Sequence, residues 1–160
     1  MNGESHPKLC EAGLSFVLTE RDGAVDVGRY CDQVFRDPWS EFRPRREFFV
    51  AYRDGIATAT GDVFGRMDSL FGWLSEVALD DPPYALEVLE TAIDGIDRIY
   101  TSSDAATSCA KCLTELFREA EDCELSDDGR FLKRVLAVQD VLFSIGLDAL
   151  DEWLRAAERP

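Results

Sequence analysis

Residues Phe64–Tyr100 read FGRMDSLFGWLSEVALDDPPYALEVLETAIDGIDRIY, and two apolar patterns of helical period flank an acidic, proline-containing turn within them. In the first pattern Met67, Leu70, Phe71, Leu74, Val77 and Ala78 recur at the i, i+3, i+4, i+7 spacing of one helical face. Asp68, Ser69, Ser75 and Glu76 fall mainly on the other side. Pro82 and Pro83 end that helix, because proline lacks an N–H and disfavours α geometry in the residue before it. Asp80 or Asp81 is placed to cap the next helix, with proline tolerated in its first turn. That helix carries Leu86, Leu89, Ile93, Ile96 and Tyr100 on one stripe, flanked by Val88, Ala92 and Ile99. A stripe so wide needs neighbours on two sides, and the pair is expected to be an antiparallel unit of a stacked helical array.

The rest of the chain extends this layout. It has 160 residues, 46% of them hydrophobic, enough for one domain with its own core. Residues 1–7 are expected to be disordered and residues 8–160 to form a single helical domain. Within it, residues 8–46 make an N-terminal subdomain and loop, and residues 47–160 the helical array. Leu9, Ala12, Phe16 and Val17 are compatible with a short helix, although a strand over residues 14–18 fits as well. Val27, Tyr30, Cys31 and Val34 mark another helix. Arg36–Arg46, broken by Pro38 and Pro44, is a packed loop with Trp39 and Phe42 to bury. Helix resumes with Phe48, Phe49, Tyr52, Ile56, Ala59 and Val63 in phase, and Gly61 marks a kink or break.

Beyond Tyr100, Thr101–Asp104 is a cap site for a helix with Ala105, Cys109, Cys112, Leu113, Leu116, Phe117 and Ala120 inward. Ser126–Asp128 caps a further helix with Phe131, Leu132, Val135, Val138, Leu142 and Ile145 inward. Leu147, Leu150, Trp153 and Leu154 supply a last short one. The expected fold is therefore all-α, an antiparallel helical stack or irregular bundle of about six to eight helices.

The segment from Ser69 to Tyr100, followed by Ala105–Glu119 and Phe131–Ile145, resembles degenerate HEAT-type repeats. Such repeats occur in the C-terminal parts of large bacterial NTPase and antiviral-defence proteins. The likeness covers roughly the last 95 residues and rests on aliphatic periodicity around an acidic-proline turn. It implies a scaffold or sensor and carries no catalytic residues onto this chain.

Charge narrows the function classes. The formal net charge is −15 and the pI about 4.3, so the surface repels nucleic-acid phosphate. Residues 1–80 hold 9 Lys/Arg against 14 Asp/Glu, and residues 81–160 hold 8 against 18. The C-terminal half is thus the better candidate for contact with a basic partner. The first residues, MNGESHPK, have no apolar core of a secretory signal, and no run of the sequence suits a bilayer. Five cysteines without an export signal read as free thiols in a reducing cytoplasm.

Four groups of residues are candidates for chemistry. Cys109 and Cys112 have zinc-pair spacing and Cys123 follows, but a structural zinc takes four ligands and the second pair is missing. Their place on an apolar face favours core packing. Glu119, Glu121, Asp122, Glu124, Asp127 and Asp128 form a dense acidic set for a basic partner, against the simpler reading of a solvated face. Arg43, Arg45 and Arg46 are the one basic cluster, fit for an anion or for internal salt bridges. His6, the single histidine, leaves no Ser–His, Cys–His or two-histidine constellation.

No catalytic residue and no cofactor are assigned. The chain is expected to be a non-catalytic protein-interaction scaffold. The alternative is an acidic mimic of nucleic acid that inhibits a basic nucleic-acid-binding protein or nuclease.

Overall fold

A computed structural model describes Phe35 and residues 43–58, 67–97 and 103–145 of the chain. These residues hold five helices and no strand: α1 (Arg46–Thr58), α2 (Asp68–Asp80), α3 (Pro82–Ile93), α4 (Ser103–Asp127) and α5 (Arg130–Ser144). The all-α class is therefore observed. The expected helices or strand before Phe35, the break near Gly61 and the helix around Trp153 lie outside the described residues.

The helix ends follow from local chemistry. A single residue, Asp81, separates α2 from α3, and its carboxylate accepts a hydrogen bond from the Tyr84 N–H at 3.2 Å. Pro82 and Pro83 occupy the first turn of α3, where no N–H partner is needed. Asp81 is thus the residue that caps. Asp81→Ala is expected to cost about 0.5–2 kcal/mol, read as a lower thermal midpoint with the helical circular-dichroism signal intact below it.

At the other end α3 stops at Ile93, short of the Tyr100 that the apolar stripe suggests. Gly95 takes the left-handed conformation, φ +72, and the Ile96 N–H returns to the Ile93 carbonyl at 3.1 Å. Glycine meets no steric penalty there, so the chain turns. Ile96 stays buried after the turn, which is why its spacing looked helical. Between α4 and α5 the two residues Asp128 and Gly129 are both left-handed, at φ 57 and 67. There the Asp127 carboxylate accepts from the Phe131 N–H at 2.8 Å, so the capping expected of Ser126–Asp128 comes from its middle residue.

The apolar faces close on one core. On α2, Leu70, Phe71, Leu74 and Ala78 are fully covered, and Trp73 joins them at 2% exposure. On α3, everything from Ala85 to Ile93 except Glu87 and Glu90 is buried. Four helices explain that width: α3 contacts α1, α2, α4 and α5. Among the described residues Thr91 alone is a buried polar residue, and its hydroxyl donates to the Glu87 carbonyl at 2.8 Å, which leaves that donor satisfied.

Among the described residues the most extensive contact between helices is that of α2 with α4. The first half of α4 favours it, because most of the buried residues there are small: Ala105, Ala106, Cys109, Ala110 and Cys112, with Leu113 beside them. Small side chains let two helix backbones approach and increase the number of dispersion contacts. An aromatic cluster fastens α1. Phe49 stacks on Trp73 with centroids 5.8 Å apart, Phe35 lies 5.2 Å from Trp73, and Tyr84 meets Trp73 edge-on at 6.3 Å. The Tyr84 hydroxyl donates to the Pro44 carbonyl at 2.6 Å, so the chain ahead of α1 is packed down onto α3.

Candidate functional site

The α3–α5 contact is far less intimate than α2–α4, and an open groove of about 630 Å³ lies along it. Its apolar lining comes from Ile93 at the end of α3, Ile96 in the turn after it, Val138 and Val141 on α5 and Ile145 just beyond, with the hydroxyls of Thr91 and Ser144 among them. Its rim is charged: Arg46 at the start of α1, Glu87, Glu90 and Asp94 on the α3 side, and Arg134 on α5. Val141 is 38% exposed, an aliphatic side chain that the fold leaves facing solvent.

One ion pair spans the groove. Arg134 donates two parallel hydrogen bonds to Glu90, Nε to Oε1 at 2.9 Å and Nη2 to Oε2 at 2.7 Å. The Glu90 carboxylate strengthens the guanidinium's hold on its proton, so Arg134 stays charged. Both partners are partly solvated, which keeps the net stabilisation small. Asp94 accepts from Arg53 at 3.0 Å, a second tie from the rim back to α1.

The three arginines of the basic cluster have different surroundings. Arg43 lies 4.0 Å from the Asp81 carboxylate and 5.6 Å from the centre of the Tyr84 ring. This is an ion pair with a cation–π contact, and it holds the loop to the α2–α3 junction. Arg45 is exposed. Arg46, also exposed, borders the groove.

The acidic set sits together on the last turns of α4 and the turn after it. Glu121, Asp122, Glu124 and Asp128 are exposed, while Glu119 and Asp127 are partly covered. No basic residue stands in the last turn of α4. Carboxylates at a helix C-terminus oppose its dipole, so their placement there is not a stabilising device. Asp127 is the exception, since its Oδ2 caps α5, while its Oδ1 is buried without a hydrogen-bond partner among the described residues.

Cys109 and Cys112 are core residues, 0% and 1% exposed on α4. Burial raises the Cys109 thiol well above its ordinary range, and the neighbouring Cys112 adds to this. Burial, then Glu115, pushes Cys112 up from 9.0 to about 12. Such thiols keep their protons and pack as small hydrophobes, whereas a metal needs the thiolate. Cys123 is half-buried, with Sγ 3.9 Å from Asp127 Oδ2, and burial, then Asp127 and Glu119, raises it too. No cluster of three His, Cys, Asp or Glu with metal-binding geometry occurs among the described residues.

The thiol shifts have a consequence for stability. Between 9.0 and about 12 the unfolded chain gives up the Cys112 proton and the folded chain keeps it. Stability is therefore full below the lower value and falls as pH rises through the window. Denaturant midpoints taken across that window should drop with pH, and Cys112→Ala should flatten the drop.

Comparison with known protein families, with curated proteins and with solved structures finds no match to this chain. Among the described residues no helix is long and apolar enough to cross a membrane.

The groove itself is absent from any reading of single segments. Its floor residues sit on two helices far apart in sequence. Only Val141, an apolar residue off the inward stripe of α5, offered a local signal.

Proposed function

We propose that this chain is a non-catalytic interaction scaffold that binds a protein partner through the α3–α5 groove. The observation that carries the proposal is the groove's composition: an apolar floor with Val141 open to solvent, inside a rim of both charge signs. That is the anatomy of a protein-binding patch, an apolar centre with a polar border. It also suits an amphipathic helix laid between two helices.

A HEAT-type arrangement would account for the groove. In it α2 and α4 form one layer and α1, α3 and α5 the other, with α2–α3 and α4–α5 as successive antiparallel pairs. Two features support this. The α2–α4 and α3–α5 contacts link corresponding helices of the two pairs. The ties from Pro44 to Tyr84 and from Arg53 to Asp94 run in the same sense along α1 and α3. Small residues favour the α2–α4 contact, and in the other layer α3 and α5 meet more sparsely than α1 and α3. Rotation between successive repeats is how stacked helical repeats create concave binding surfaces.

The partner's surface is inferred to be basic, from the charge of −15 and the exposed carboxylates at the end of α4, which would steer its approach rather than hold it in the groove. The nucleic-acid-mimic alternative rests on those same carboxylates, which oppose the helix dipole. The discriminating experiment is affinity capture from a cytoplasmic extract, with the whole chain as bait and a salt series. A scaffold that uses the groove keeps its partner as salt rises and loses it on a groove substitution. A mimic loses its partner steeply with salt. The combined variant Glu121→Gln, Asp122→Asn, Glu124→Gln should raise the thermal midpoint slightly, and it should abolish capture only in the second case. Recovery of no specific partner at near-physiological salt would refute both.

A further inference from the structure

We draw no further inference here: the strongest candidate, the α3–α5 groove with Val141 exposed on its floor, belongs to the site already described, and nothing among the described residues shows what covers it.

Discussion

Phe49→Ala is expected to lower the unfolding free energy by about 3–5 kcal/mol, the range for removing a buried aromatic ring. Phe49 is 1% exposed and central to the aromatic cluster. Its ring lies 5.2 Å from Phe48, 6.4 Å from Phe35 and 5.8 Å from Trp73, so it links α1 to Trp73 of α2 beside the main contact of α1 with α3. The loss combines transfer of the ring to water with a cavity that rigid neighbours fill poorly. Native domains are stable by only about 5–15 kcal/mol, so the variant should sit near its unfolding threshold. Denaturant titration followed by tryptophan emission, to which Trp39, Trp73 and Trp153 all contribute, measures the midpoint. Phe49→Leu, which keeps most of the volume, should fall between the two. An unchanged midpoint for Phe49→Ala would mean that α1 does not pack on the core as described.

Val141→Asp is the second large effect, and it separates binding from folding. The side chain is already 38% exposed, so its loss from the core is modest. Aspartate near the end of α5 adds an unfavourable dipole term of about 0.3–1 kcal/mol. The helical signal and thermal midpoint should therefore change little. Partner affinity should fall ten-fold or more, about 1.4 kcal/mol, because a charge is driven into the desolvated centre of the contact. Leu136→Asp serves as the control. Leu136 is 44% exposed on the same helix but does not line the groove. Equal losses from both variants, or none from Val141→Asp, would remove the groove from the binding surface.

Both predictions concern helices whose existence was written in local periodicity. The inward stripes of α2 and α5 could be named residue by residue, and Asp81 could be named as one of two capping candidates. Such features depend on neighbours three or four positions apart along the chain, so a single segment holds the information. The end of α3 was legible too, in Asp94-Gly95. The apolar spacing of Ile93 and Ile96 hid it, since a residue can stay buried after the helix that led to it has stopped. The core placement of Cys109 and Cys112 was likewise visible, because they share a face with Leu113 and Leu116.

The candidate site was not legible, for a physical reason. Whether two helices close up or splay depends on side-chain volumes summed over both faces. Small residues make up most of the buried face in the first half of α4, whereas the longer side chains of Glu90 and Arg134 meet between α3 and α5. No window of sequence contains that sum. The same holds for Arg43 and Arg46: alike in composition and three positions apart, one is tied to Asp81 and Tyr84 and the other borders the groove. Period and capping, which are local, made the helices readable from the amino acids alone. Spacing between helices is set across the core, so the groove came only with the folded chain.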